Sequence, residues 1–228
     1  HSFLMTHQPE HSFVESDGIW RQYRQRDGVV GTREAPVLFL DRDGVLVEEV
    51  HYLHRVDDIR IYPAAVRLVQ DAKMAGWSVL IVTNQAGIGR GLYGWDDFGR
   101  VNSHLLRALE SSGACIDGVL AAPHHAEGVG CYRVENHPMR KPNPGMILDG
   151  LGRLRASARR SVVVGDRVSD LAAGRAAGLG RGILVRAGYG IGEESGVEGL
   201  TSMDFETRVV NDLDQFPREW LMTEREEK

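Results

Sequence analysis

The chain has 228 residues, 42% of them hydrophobic and 26% charged, with a net charge of −5, which suits one globular α/β domain with an ample core and excludes a predominantly disordered chain. The acidic balance argues against nucleic acid as a partner, since phosphate-backbone binders carry a basic stripe, and no apolar run approaches the roughly 20 residues that cross a bilayer. With no basic-then-apolar leader and only two cysteines, Cys115 and Cys131, the chain is expected in the cytoplasm, without a membrane partner, and Cys115 reads as a small buried residue.

Residues 1–35 read as an N-terminal extension. His1-Ser2-Phe3-Leu4 ahead of Met5 resembles a tag remnant, and Asp27-Gly28 between Ile19-Trp20 and Val29-Val30 suggests a two-strand ribbon over 18–31. The main domain is expected over 36–217, with a charged tail over 218–228. Val37-Leu38-Phe39-Leu40 has no alternation and reads as a strand covered on both faces, leading into Asp41-Arg42-Asp43-Gly44. After a mixed stretch over 45–61, Pro63 opens a helix that Gly76 closes, with Ala65, Val69 and Ala72 on one face. A second buried strand over 77–82 runs into Thr83-Asn84. Gly87, Gly89 and Gly91 then read as flexible-loop glycines. A helix over 95–109 keeps Phe98, Val101, Leu105 and Leu109 in register, and 118–121 forms a third strand. The aperiodic stretch 122–142, with Pro123, Pro138 and Pro142, is a long loop of the kind that often carries function. A helix from Pro144 to about Leu154 follows. Val162-Val163-Val164 is a strand leading to Gly165-Asp166, an alanine-rich helix runs to Ala177, and strands at 183–185 and 208–210 complete the pattern. Alternating strands and helices favour a mostly parallel sheet covered on both faces.

In such a sheet, reactive groups collect just beyond the carboxyl ends of the strands. Asp41 and Asp43, Thr83 and Asn84, Lys141 in Arg140-Lys141-Pro142, and Asp166 with Asp170 all occupy such positions. Taken singly, Thr83-Asn84 is an ordinary turn or cap, Lys141 a surface lysine and Asp170 a first-turn acid. Together they supply a nucleophilic carboxylate, a second carboxylate for proton transfer, polar donors, an ammonium, and acids that could hold a divalent cation. That set matches phosphoryl transfer, in which positioning and charge stabilisation dominate.

Phe39-Leu40-Asp41-Arg42-Asp43-Gly44, Thr83-Asn84-Gln85-Ala86-Gly87-Ile88-Gly89-Arg90-Gly91 and Arg140-Lys141-Pro142-Asn143-Pro144-Gly145 resemble the haloacid dehalogenase (HAD) superfamily phosphatases, in the branch of heptose bisphosphate and histidinol-phosphate phosphatases. The resemblance covers about residues 36–190. It implies a HAD-like three-layer Rossmann-type α/β fold with a mostly parallel sheet. It also implies Asp41 as nucleophile and Asp43 as acid and base; Mg²⁺ held by Asp41, the Asp43 main-chain carbonyl and Asp166; and phosphate held by Thr83, Asn84 and Lys141. Asp170 supports the metal shell or orients Lys141. Arg167 stands where the superfamily often has lysine, which keeps a cation with a different geometry.

Neither interval between these motifs is long enough for a separate cap domain, so loops over 47–60 and 122–140 are expected to cover the site. Glu48, His51, His54, His124, Glu127, Arg133 and Arg140 are candidate readers of hydroxyls and a second phosphate, Arg140 first because a guanidinium binds phosphate bidentately. Relatives commonly carry a structural zinc in the long loop. The equivalent positions here are Ala122, His124, His137 and Met139, with Cys131 and His125 nearby; two ligands fall short of the usual four, so no stoichiometric zinc is expected. The expected partner is a small phosphorylated metabolite, heptose 1,7-bisphosphate first and histidinol phosphate second. A phospho-accepting receiver domain, the alternative from another class, places its acceptor after a middle strand, whereas Asp41 ends the first.

Overall fold

The computed structural model describes residues 13–24 and 34–222. Seven strands form one sheet in the order β1-β4-β3-β2-β5-β6-β7. They are β1 (Trp20–Tyr23), β2 (Val37–Leu40), β3 (Ser78–Asn84), β4 (Gly118–Ala122), β5 (Val162–Gly165), β6 (Arg181–Val185) and β7 (Glu206–Val210). All pairs are parallel except β1 with β4. The first strand of the HAD-like pattern, β2, lies at the centre between β3 and β5, where Leu40 faces both Ile81 and Val164. Its carboxyl end therefore has protein on both sides.

The unbroken apolar strands divide by parity, as a sheet buried on both faces requires. Leu38, Leu40, Val79, Ile81, Val162 and Val164 pack under α1 (Pro63–Met74) and α3 (Trp95–Ser111). Val37, Phe39, Leu80, Val82, Val163 and Leu184 face α4 (Gly145–Leu154) and α5 (Val168–Ala176). A short helix α2 (Ala86–Gly89) follows β3, and another, α6 (Gly190–Glu193), follows β6. Between β2 and β3 stand one 3₁₀ turn and α1, and between β3 and β4 only α2 and α3; no separate cap domain is inserted. No helix among the described residues is long and apolar enough to cross a membrane.

Four expectations change. Trp20–Tyr23, assigned above to an extension and to a ribbon, is the antiparallel edge of the main sheet, while Val29-Val30 lies outside the described residues. Trp20 is buried against Phe13, Trp95 and Phe98, with ring centroids at 5.2, 5.7 and 4.9 Å. Arg218–Leu221, assigned to the tail, is a 3₁₀ turn that buries Trp220 and Leu221; the tail over 223–228 is outside the described residues. Gly87 and Gly89 are buried within α2 rather than in a flexible loop. A Cβ on Gly89 would sit 1.9 Å from the Pro123 carbonyl oxygen, and one on Gly87 would sit 2.2 Å from the Tyr93 ring, so close packing selects glycine there. Cys115 is only half-buried.

Because Trp20 ties the edge strand to α3, Trp20→Ala is expected to cost about 3–5 kcal/mol of stability, the range for a buried large-to-small change. Urea unfolding followed by circular dichroism measures it, and a loss within error of zero would mean that β1 does not belong to the domain.

Candidate active site

β2 stops at Leu40 because the chain turns back on the Arg42 carbonyl, which accepts N–H bonds from Val45, Leu46 and Val47 at 3.4, 2.9 and 3.1 Å. Gly44 makes that turn at φ +81°. A Cβ there would lie 2.2 Å from Asp166 Oδ2, and so would one on Gly188 at φ +53°. The backbone thus closes around Asp166, whose Oδ2 also accepts the Tyr189 N–H at 3.0 Å.

Asp41, Asp43, Asn84, Lys141, Asp166 and Asp170 line one cavity of about 450 Å³. Lys141 organises it. Its buried Nζ lies 2.6 Å from Asp170 Oδ1 and 3.1 Å from Asp41 Oδ1, and donates to the Val82 carbonyl at 2.7 Å. Burial alone would lower the lysine's pKa, but Asp170 and Asp41 outweigh it and hold the ammonium charged beyond the ordinary lysine range. Burial pushes Asp41 well above the usual carboxylate range; Lys141 opposes this, and Asp170, Asp166 and Asp43 add to it. Burial likewise pushes Asp166 up to about 7, against the Tyr189 N–H and reinforced by Asp170. One carboxylate oxygen each from Asp41, Asp166 and Asp170 lies within 4.8 Å of the others. Crowded, reluctantly ionised oxygen ligands of this kind fit a small hard divalent cation.

Asp170 is spent on positioning: Oδ1 pairs with Lys141, and Oδ2 accepts the Arg167 N–H at 3.1 Å, boxing the start of α5. Asn84 is also spent. Its amide donates to the Lys141 carbonyl and its Oδ1 accepts the Lys141 N–H, both at 3.0 Å, so the side chain at the cavity wall pins the lysine loop to the end of β3. Thr83 is buried and does not line the cavity, and its Oγ1 accepts from the Gln85 amide at 2.9 Å.

Of the expected loop readers, His51 and Arg140 reach the cavity, joined by Glu49, Tyr52, His125 and Arg167. His51 and Tyr52 get there through consecutive left-handed backbones, at φ 54° and 68°. Glu48, His54, Glu127 and Arg133 do not line it. His124 is turned away: its ring stacks on His137 with centroids 3.7 Å apart, while His137 Nδ1 accepts the Met139 N–H. Arg140 reaches only the His124 carbonyl, at 3.3 Å, and Arg167 lies over the Tyr189 ring at 3.8 Å; neither has an ion pair among the described residues. Arg42, Gln85 and Tyr93, which line the same cavity, were not singled out from the sequence. Arg42 and Gln85 had a signal in lying inside the motif strings, and Tyr93, outside them, had none.

The HAD-hydrolase-like family model matches residues 138–215. The D-glycero-beta-D-manno-heptose-1,7-bisphosphate 7-phosphatase of Mesorhizobium japonicum is 41% identical over 74% of this chain and 76% of its own length. The D-glycero-alpha-D-manno-heptose-1,7-bisphosphate 7-phosphatase of Burkholderia mallei is 42% identical over 65% of this chain and 78% of its own. Among solved structures, a D,D-heptose 1,7-bisphosphate phosphatase from B. bronchiseptica, complexed with magnesium and phosphate, superposes with a TM-score of 0.67 at 28% identity, covering 78% of this chain and 93% of that one. Identity at this level over about three quarters of two chains, on a sheet that gathers its acids at one end, decides the family: the protein belongs to the HAD-like hydrolases, as a phosphatase.

Proposed function

We propose that the protein is a Mg²⁺-dependent phosphomonoesterase that removes the 7-phosphate of D-glycero-D-manno-heptose 1,7-bisphosphate through an aspartyl-phosphate. The observation that carries this reading is Asp41 in the cavity against a buried ammonium, with a second acid, Asp43, lining the same space. Asp41 attacks phosphorus, and its new O–P bond replaces the one to the sugar oxygen, which leaves with a proton from Asp43. Asp43 then takes a proton from water, whose oxygen displaces Asp41 and releases phosphate. Lys141 keeps its charge throughout and offsets the anion on Asp41 and the phosphoryl oxygens. The Asp41 and Asp166 carboxylates and the Asp43 main-chain carbonyl would hold Mg²⁺, which when bound supplies the remaining positive charge that an anionic substrate needs among these acids. Asp170 and Asn84 act through Lys141, and Thr83 acts from beneath the cavity surface.

The choice of a bisphosphate rests on Arg140 and Arg167. Both guanidiniums line the cavity and neither has an ion pair among the described residues; burial and then repulsion from Arg167 hold Arg140 below the ordinary arginine range. A second phosphate relieves that repulsion. Histidinol phosphate would bring an ammonium to the same neighbourhood, which disfavours it.

Asp41→Asn is expected to lower kcat at least about 10³-fold, the scale of losing a covalent nucleophile, measured as phosphate release with Mg²⁺; a slow single turnover in the wild type would instead support a receiver-like acceptor. Arg140→Ala is expected to raise KM for the heptose bisphosphate by about tenfold or more, the worth of one charge-assisted contact, and to leave KM for a sugar monophosphate within about twofold. Equal effects on both substrates would remove the second-phosphate role.

A third outcome follows from Asp166, which titrates at about 7 in the folded chain against an ordinary 3.8. The native state then holds a proton that the unfolded state has lost, so the metal-free protein loses stability as pH rises from 3.8 through 7 and levels off above. Asp166→Asn escapes this loss. It is expected to melt above the metal-free wild type at pH 8, by about 4–8 °C if some 2 kcal/mol is relieved in a chain of this size, and at the wild-type temperature near pH 4. Saturating Mg²⁺ should close the gap for the wild type alone. Differential scanning fluorimetry across pH checks the sign.

A further inference from the structure

We propose that Gln85 is a positioning residue for the proton transfer, selecting, with Arg42, which oxygen of Asp43 carries the proton; the inference rests on the assignment of Asp43 as the acid. Gln85 is buried, and its amide is the meeting point of three groups. Nε2 donates to Thr83 Oγ1 at 2.9 Å and to Asp43 Oδ2 at 3.3 Å, while Oε1 accepts the Tyr93 hydroxyl. This orientation of the amide is fixed by chemistry. Reversing it would set Oε1 against a carboxylate and take the acceptor away from Tyr93.

Arg42 completes the arrangement from the other side. Its guanidinium is buried over the Phe98 ring, 5.4 Å from the centroid, and its Nη2 reaches the Leu53 carbonyl at 3.4 Å. Nε donates to Asp43 Oδ2 at 3.0 Å and Nη2 to Oδ1 at 3.1 Å; Nη2 also lies 3.0 Å from Oδ2. Oδ2 therefore receives a donor from Gln85 as well as from Arg42, whereas Oδ1 receives one from Arg42 alone. A carboxylate oxygen facing two N–H groups has little room for a proton of its own, so Oδ1 is left to carry it to the leaving oxygen and to take it back from water.

The same amide sets the second group. Because Thr83 Oγ1 accepts from Gln85, the threonine's own proton is turned the other way and is donated to the Asn84 carbonyl at 3.4 Å. One side chain thus sets the acid that serves the leaving group and the hydroxyl at the end of β3. Tyr93 keeps the amide from rotating by occupying Oε1. Removing the amide should leave phosphoryl transfer in place while making it depend on how well the leaving group departs without a proton.

The test compares an alkyl phosphate, whose leaving alkoxide needs protonation, with p-nitrophenyl phosphate, whose leaving phenolate does not, using the Mg²⁺-loaded full chain. Gln85→Leu keeps the volume and removes the amide; its alkyl-to-aryl ratio of kcat is expected to fall by about tenfold, a part of the 10²–10⁴-fold worth of general acid catalysis. Tyr93→Phe should lower the ratio in the same direction by a smaller factor, and it carries the test if Gln85→Leu does not fold. Asp43→Asn is the reference, expected to lower the ratio by about 10²-fold or more. A ratio unchanged in Asp43→Asn overturns the acid assignment and this inference together. A ratio lowered in Asp43→Asn but unchanged in Gln85→Leu and Tyr93→Phe overturns the role of Gln85 alone, since a merely structural glutamine would slow both substrates by one factor.

Discussion

One buried ammonium holds this site together. Lys141 sits within 3.1 Å of two carboxylates and is itself almost out of reach of water. At an effective dielectric of about 20, unit charges roughly 3 Å apart attract by about 5 kcal/mol, so two such partners outweigh a burial penalty of several kcal/mol. Without the lysine, Asp41, Asp166 and Asp170 would be like charges in a desolvated space. The structure accordingly spends other polar groups on placing it: Asn84 grips its backbone from both sides, Asp170 holds its head, and the Val82 carbonyl takes a third bond.

The sheet explains why these groups meet. β2 is central, and beside its last residue Leu40 the parallel β5 runs one residue further, to Gly165, and β3 three further, to Asn84, so residues far apart in the chain reach one edge without a long excursion. The backbone then closes tightly around Asp166, where Gly44 and Gly188 leave no room for side chains. Phosphoryl transfer asks for little covalent participation and much pre-set charge, and a rigid sheet edge supplies that more reliably than a loop.

Most of the sheet was legible because its strands are unbroken apolar runs, and the helix between β2 and β3 because Pro63 and Gly76 bracket it. Asp41 and Asp166 were legible because they follow those runs directly, and Lys141 because it stands just ahead of the helix at Pro144. The N-terminal strand was not, because Trp20–Tyr23 is a short edge strand whose identity depends on pairing with β4 nearly a hundred residues later, and local pattern carries no such contact. Gln85 was missed for a related reason: only the fold brings its amide to Asp43 and Tyr93. His124 and Arg140 were both candidate loop readers in the sequence, Arg140 first, and only the fold shows the stack on His137 that turns His124 away from the cavity. Asn84 was read as a phosphate group through the resemblance, and only the fold shows the two hydrogen bonds that tie its side chain to the Lys141 backbone.

The cluster around Trp20 bears on more than stability. Trp20 packs edge-on to Phe98, Phe98 lies beneath the Arg42 guanidinium, and Arg42 grips Asp43. An unbroken line of contacts therefore runs from an edge strand of the sheet to the Asp43 carboxylate. A fragment trimmed to the motifs would retain every reacting group yet lose the footing on which one of them stands, and its chemistry would change without any reacting atom being altered.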